Sequence, residues 1–154
     1  MQRRITGFVL DEHGDWVASL DCGHRQHVRH DPPFTSRPWV VTEEGRAAQI
    51  GKEWPCPLCE RFELPSDFVA YKRTPEFTEA TVPRGLRRDH STKPGVWARI
   101  HVLEGALRYH VPSLDRRFDV TPDAPGIVTP EVVHHVEPLG PVRFYVEFYR
   151  APTI

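Results

Sequence analysis

Cys22-Gly23-His24 and Cys56-Pro57-Leu58-Cys59 are the two stretches that decide how the N-terminal part of the chain folds. Two cysteines separated by two residues allow one tight turn to hold a tetrahedral ion through both thiolates. Side chains two positions apart share one face of an extended segment, so Cys22 and His24 present a thiolate and an imidazole together. We therefore predict a closed, structural zinc site of the Cys3His type, formed by Cys22, His24, Cys56 and Cys59.

The choice of the fourth zinc ligand is open at this point. His27 is the rival of His24, and His30 is a third choice. A redox-active Cys-x-x-Cys pair is the main alternative to zinc, but such a pair normally lies in a βαβ unit with a helix beginning at the first cysteine. Here prolines flank the pair, and a third cysteine and several histidines accompany it. This context favours zinc.

The composition of the chain bears on whether the protein binds nucleic acid, spans a membrane or is secreted. The 154 residues include 20 basic and 21 acidic side chains, so the net charge of −1 gives no preference for nucleic acid. No apolar run approaches the roughly 20 residues that a membrane span needs. The first five residues lack the apolar core of a secretory signal, and we expect a cytoplasmic protein with no membrane partner. In that reducing compartment, three cysteines are metal ligands or free thiols rather than disulfides.

The sequence predicts two modules, a zinc-binding module over residues 1–62 and a barrel over residues 63–154. Sixteen prolines and ten glycines favour short strands and turns, so the fold class is mainly β. The first module should contain a hairpin over residues 5–20 and a short helix from Thr42 to about Ile50. So small a module cannot bury enough apolar surface to fold unaided, and zinc would contribute about 10 kcal/mol to its folding.

The second module shows short strands separated by turns and no helices, which is typical of a barrel or sandwich. The predicted strands cover residues 96–103, 106–111, 126–128, 132–136 and 142–149.

Two resemblances concern the first module. The segments Cys22-Gly23-His24-Arg25-Gln26-His27, Arg37-Pro38-Trp39-Val40 and Cys56-Pro57-Leu58-Cys59 resemble a small bacterial family of unknown function, some members of which are labelled pressure-regulated. The ligand pattern alone is similar to the second zinc site of RING fingers and other treble-clef knuckles. These resemblances imply a treble-clef-like or ribbon-like zinc module, and neither implies an enzymatic activity.

The second module resembles the cupin-like family attached to some tellurite-resistance methyltransferases and found alone in stress-responsive bacterial proteins. The residues that carry the resemblance are Arg73-Thr74-Pro75-Glu76-Phe77, Asp89-His90-x-Thr92-Lys93, Thr129-Pro130-Glu131-x-Val133-His134 and Phe144-x-Val146-Glu147-Phe148. The resemblance implies a double-stranded β-helix barrel.

A cupin barrel brings together metal ligands that are far apart in the sequence. His90 occupies the first motif and His134 the second, and Glu147 on the last strand could complete a two-His-one-carboxylate site. The ion would be divalent zinc, iron or manganese. Glu137 competes with Glu147 as the carboxylate, and a salt bridge with Arg99 is the alternative role for Glu147.

These features lead to one functional hypothesis and two alternatives. We expect a metal-binding cupin-type protein that binds or detoxifies a small anion or reactive species in a bacterial stress response; whether it catalyses a reaction is open. The first alternative is a non-catalytic adaptor whose zinc module docks a partner and whose barrel is either structural or the unit that forms a homodimer. The second is a metal-dependent dioxygenase or isomerase, but Thr92 stands where the first cupin motif usually has its second histidine.

Overall fold

The computed structural model of the protein describes residues 1–153 as two units, Met1–Pro65 and a second unit that begins at Ser66. Strands dominate both units, and the two α-helices in the described chain are five and four residues long. The prediction of a mainly β protein is therefore confirmed. None of the helices in residues 1–153 is long and apolar enough to cross a membrane.

The first unit is built on a four-stranded antiparallel sheet with strand order β3-β2-β1-β4. Its strands are β1 (Gln2–Leu10), β2 (Trp16–Leu20), β3 (Arg25–His27) and β4 (Glu53–Pro55). The predicted hairpin is β1 and β2, and the Asp11 carboxylate closes its turn by accepting hydrogen bonds from the backbone N–H groups of His13 and Asp15.

Two short helices follow the hairpin, α1 (Glu43–Ala47) and α2 (Pro57–Glu60). The hydroxyl of Thr42 caps α1 by accepting a hydrogen bond of 3.0 Å from the backbone N–H of Gly45. The helix is shorter than predicted because the chain turns back toward the sheet, where the N–H of Gly51 donates to the carbonyl of Ile5.

The apolar core of the first unit is small. Its buried aliphatic and aromatic residues are Ile5, Val17, Ala18, Leu20, Val28, Val40 and Phe62. All three cysteines and His24 are buried with them. The sulfur atoms and the imidazole therefore occupy the interior of a unit that has few other groups to fill it.

The second unit contains two antiparallel sheets, one with strand order β10-β7-β12-β5 plus β6 on β12, the other with order β11-β8-β9. The strands are β5 (Val69–Arg73), β6 (Phe77–Thr78), β7 (Trp97–Glu104), β8 (Leu107–Val111), β9 (Arg116–Val120), β10 (Gly126–Val128), β11 (His135–Pro138) and β12 (Arg143–Arg150). The fully buried side chains include Trp97, Ile100, Leu107, Tyr109, Val111 and Phe144.

The predicted strands agree with β7, β8, β10 and β12, but four others were missed or displaced, among them the two-residue β6. Strand β9 is mostly charged and exposed, so it carries no alternating apolar pattern. Strand β11 begins at His135 rather than at residue 132, because Glu131 has a φ of +63° and turns the chain before the strand. Strand β5 is exposed along its whole length and was not predicted.

Gly105, in the turn between β7 and β8, offers a test of this packing. Its φ is +80°, and a Cβ atom there would lie 2.1 Å from the carbonyl oxygen of Pro141. Gly140 is the matched control, because its φ is +99° but no atom lies within 4 Å of the added Cβ. We expect Gly140→Ala to cost about 1 kcal/mol of unfolding free energy and Gly105→Ala about 3 kcal/mol.

Urea unfolding of the zinc-loaded chain, followed through the NMR signals of β7 and β8, measures both losses. Equal losses for the two substitutions would contradict the close approach of Gly105 and Pro141.

Candidate metal centre and the histidine-lined cavity

The backbone of the first unit brings two distant pairs of ligands to one place. Cys22 and His24 lie in the turn between β2 and β3, where Gly23 has a φ of +94° and donates a hydrogen bond to the Leu20 carbonyl. Cys56 directly precedes α2, and Cys59 lies within that helix. The β2–β3 turn and the start of α2 therefore face each other, with three thiol groups and one imidazole between them.

The distances between these four side chains match a tetrahedral zinc site. Their ligand atoms all lie within 4.8 Å of one another. The sulfur atoms of Cys22 and Cys56 are 3.8 Å apart, and Nδ1 of His24 lies 3.4, 3.3 and 3.6 Å from the sulfurs of Cys22, Cys56 and Cys59. Tetrahedral zinc with ordinary bond lengths separates two sulfurs by about 3.8 Å and a sulfur from a nitrogen by about 3.6 Å.

The other ring nitrogen of His24 fixes the orientation of the imidazole. Nε2 of His24 donates a hydrogen bond of 2.6 Å to the carbonyl oxygen of Glu63. In the neutral imidazole that binds a metal ion, the lone pair is then on Nδ1, the atom that faces the three sulfurs. This backbone partner is the usual second contact of a metal-bound histidine.

Without a metal ion, the hydrogen bonds within the cluster favour a negative charge on Cys56 and a positive charge on His24. Hydrogen bonds from Cys22 and Cys59 hold the pKa of Cys56 well below its ordinary range, whereas bonds with Cys56 and Cys59 raise the pKa of Cys22. Burial opposes a charge on His24, but hydrogen bonds to Cys56 and Cys59 outweigh it and raise the pKa of His24 to about 10. The cluster thus stabilises a thiolate at Cys56, and thiolate is the form that binds a metal ion.

The rival histidines of the sequence lie away from this cluster. The side chain of His27 is 59% exposed, and its nearest charged partner is Asp11 at 3.7 Å. Nδ1 of His30 accepts a hydrogen bond of 2.8 Å from the backbone N–H of Arg37. His24 is therefore the histidine that the structure places with the three cysteines. The antiparallel sheet and four-residue α2 are also unlike the βαβ context of a redox Cys-x-x-Cys pair.

In the second unit, His90 and His134 face each other across an isolated antiparallel bridge. Their ring centroids are 4.2 Å apart. Nδ1 of His90 lies 2.8 Å from the Arg88 carbonyl, and Nδ1 of His134 lies 2.9 Å from the Val132 carbonyl. A neutral imidazole that donates from Nδ1 keeps its lone pair on Nε2. Burial, the main cause, lowers the pKa of His134 to about 4, so its ring is uncharged at neutral pH.

Both imidazoles line a cavity of about 290 Å³. The cavity lies against the face of the larger sheet that carries Ala98 and Ile100 of β7 and Phe144, Val146 and Phe148 of β12. Thr92, the residue in place of a second cupin histidine, also lines it, and its hydroxyl donates to the Val96 carbonyl at 2.7 Å.

The structure does not bring Glu147, the predicted third ligand, together with these histidines. Side chains alternate along a strand, so Glu147 projects from the face of β12 opposite to its neighbours Val146 and Phe148. Oε1 of Glu147 accepts hydrogen bonds from Tyr149 at 2.6 Å and from His101 at 3.1 Å. The Tyr149 hydroxyl, more than any other group, lowers the pKa of Glu147.

The alternatives for that carboxylate also lie outside the cavity. Glu137 is 3.6 Å from Nε2 of His110, on the smaller sheet. Arg99 is the cross-strand neighbour of Glu147 and lies over the Tyr149 ring, but the hydrogen bonds of Glu147 go to Tyr149 and His101. Within residues 1–153, only the Cys3His cluster brings together three or more cysteine, histidine or acidic ligand atoms.

Strand alternation was the signal that could have excluded Glu147 in advance. The apolar residues of β12 that line the cavity are two positions apart, and Glu147 falls between two of them. The roles of the carbonyls of Glu63, Arg88 and Val132 carry no such signal, because any residue supplies a carbonyl.

Comparison with known proteins assigns each unit separately. Residues 6–63 match a protein family of unknown function, DUF3565, and residues 72–146 match the TehB-like domain. The chain joins these two segments. The predicted fusion is therefore confirmed, although nothing in the match to the first family concerns zinc or pressure.

Relatives of the second segment include two bacterial proteins. The uncharacterized protein YeaR of Escherichia coli K12 is 26% identical over 102 residues, which cover 60% of this chain and 86% of that protein. A probable S-adenosyl-L-methionine-dependent methyltransferase, TehB of Haemophilus influenzae, is 30% identical over 84 residues, which cover 50% of this chain but 29% of that protein. The part shared with TehB is thus less than a third of the enzyme.

Two crystal structures are similar in fold to part of this chain. One is a structural-genomics target from E. coli K12, with a TM-score of 0.53 and 26% identity, and it aligns with 58% of this chain and 96% of its own. The other is TehB from H. influenzae, with a TM-score of 0.52 and 26% identity over 56% of this chain and 32% of that one.

Removal of metal should loosen the first unit selectively. We expect chelation, or the substitution Cys56→Ser, to increase amide hydrogen exchange throughout residues 1–60, because the small core cannot hold the sheet without the ion. Hydrogen exchange with mass spectrometry, read peptide by peptide, checks this. His27→Ala is the matched control and should keep both the metal and the protection. Unchanged exchange in residues 1–60 after complete metal removal would contradict a structural role.

Proposed function

We propose that this protein is a metal-binding, cupin-type ligand-binding protein with two sites of different purpose. Zinc on Cys22, His24, Cys56 and Cys59 would hold the module of residues 1–62 together. His90 and His134 would anchor a divalent ion in the cavity of the barrel formed by residues 63–154. The observation that carries the proposal is the tetrahedral spacing of the Cys3His cluster.

Four protein ligands and deep burial support a structural role for the zinc. A catalytic zinc site keeps one position open for water or substrate, whereas a structural site is closed by four side chains. Cys22, Cys56 and Cys59 are fully buried, and His24 is 5% exposed. The hairpin turn that supplies one pair of ligands and the helix start that supplies the other correspond to a treble-clef-like knuckle.

The histidine pair supports a different use of metal in the second unit. Each ring has its Nδ1 held by a backbone carbonyl, and its Nε2 lone pair is left for an ion. No carboxylate lines the cavity, so two imidazoles there fit an ion that anchors a ligand better than the two-His-one-carboxylate centre of an oxygenase. Zinc, iron and manganese all accept such ligands, and a bound ion would supply Lewis acidity.

The cavity also favours ligand binding over the adaptor hypothesis, because a barrel used only as a scaffold has no need of a space of about 290 Å³ beside two imidazoles. A role in binding or detoxifying a small anion or reactive species in a bacterial stress response is supported by the resemblance to the cupin-like part of tellurite-resistance proteins.

Metal analysis of purified variants tests the two sites separately. We expect two ions per chain in the parent protein, one lost in Cys56→Ser and the other lost in His134→Ala. Glu147→Gln is the matched control, since its side chain lies on the opposite face of β12 and should leave both ions bound. Elemental analysis after removal of loosely bound metal gives the counts. A single ion, lost only in Cys56→Ser, would contradict the barrel site. Loss of an ion in Glu147→Gln would contradict the assignment of the ligands to His90 and His134 without Glu147.

A further inference from the structure

The cavity is lined by basic side chains and by no acidic ones. The chain contains 21 aspartate and glutamate residues, yet none of them lines the cavity. The basic residues that line it are Lys72, Lys93, His90 and His134. Two ammonium groups at the rim, with no carboxylate in the lining, favour an anionic organic ligand over a cationic one.

Burial separates the lining into an apolar floor and a basic mouth. Fully buried residues form the floor: Ala98, Ile100, Val128, Val136 and Phe144. The lysines are exposed, and both belong to the rim of the cavity. The ammonium group of Lys72 lies 5.3 Å from the ring centre of Phe148, another lining residue, so its charge is held close to the opening.

This gradient limits the ligands that fit. An inorganic oxyanion placed against the floor would lose its hydration without gaining hydrogen bonds, which is unfavourable. An aliphatic or aromatic group gains free energy there by leaving water. The cavity volume of about 290 Å³ is at the lower end for small-molecule sites, so the ligand must be small.

We infer that the cavity binds a small organic anion, such as a carboxylate, whose apolar body contacts the floor and whose charged group faces Lys72 and Lys93. The inference rests on the proposed ligand-binding function of the second unit and names the chemical class of its ligand. It distinguishes an amphipathic organic anion from a bare inorganic oxyanion. It does not depend on which metal the histidines hold.

Isothermal titration of the full zinc-loaded chain with three probes tests the class of ligand. Hexanoate has the apolar body and the charge, 1-hexanol has the body alone, and inorganic phosphate has the charge alone. We expect saturable binding of hexanoate that is at least about tenfold tighter than that of either other probe. Phosphate binding as tight as that of hexanoate, or no saturable hexanoate binding, would overturn the inference.

Two variants locate the binding within the cavity. Replacing both rim lysines, in Lys72→Gln/Lys93→Gln, should weaken hexanoate binding about five- to tenfold and leave 1-hexanol unchanged. Lys52→Gln, in the first unit, is the control for the loss of a positive charge. Ile100→Phe should fill the floor and abolish binding of both hexanoate and 1-hexanol. The lysine side chains are exposed, so their replacement tests the inference even where Ile100→Phe does not fold.

Metal counts on the same samples separate this inference from the proposed function. Two ions per chain with no hexanoate binding would overturn the inference and leave the metal sites standing. Hexanoate binding that is sensitive to the lysines, in a chain with one ion, would support the inference and contradict the barrel metal. Hexanoate binding of unchanged strength in the double lysine variant would overturn the assigned orientation of the ligand.

Discussion

The structure of the first unit depends on the convergence of three sulfur atoms and one imidazole nitrogen. His24 and Cys56 are 32 positions apart in the chain, yet their ligand atoms lie 3.3 Å from each other. An ion bound at that point would close a long loop and replace the apolar contacts that so small a core lacks. Glu63, beyond the last cysteine, completes the arrangement through its carbonyl, which holds the His24 ring in the metal-binding orientation.

The four residues of the Cys3His cluster could be predicted because metal chemistry imposes local patterns on a sequence. The spacing of Cys56 and Cys59 and the alternation of Cys22 and His24 each act over a few residues. The choice between His24 and His27 could not be settled in the same way. It depends on the hairpin turn at Gly23 and on the Glu63 carbonyl, and the sequence does not show that these meet.

In the second unit, the alternation of side chains along the strands and the family resemblance give different answers for Glu147. The motifs correctly predicted that His90 and His134 lie together, but the resemblance also suggested Glu147, which the strand places on the opposite face. The alternation of Phe144, Val146 and Phe148 contained that information. The exposed β5 and β9 could not be predicted, since their pairing depends on neighbours far away in the chain. The two units have one feature in common. In each, a backbone carbonyl accepts a hydrogen bond from one imidazole nitrogen, which leaves the other nitrogen to bind an ion.

X-ray absorption at the zinc edge of the purified protein tests the central claim most directly. Three sulfur atoms at about 2.3 Å and one nitrogen at about 2.0 Å around the ion of the first unit are the expected result, measured on the His134→Ala variant so that zinc in the cavity does not contribute. A first shell of oxygen and nitrogen, or one with fewer than three sulfurs, would contradict the account, because the ion would then not be the group that joins the β2–β3 turn to α2.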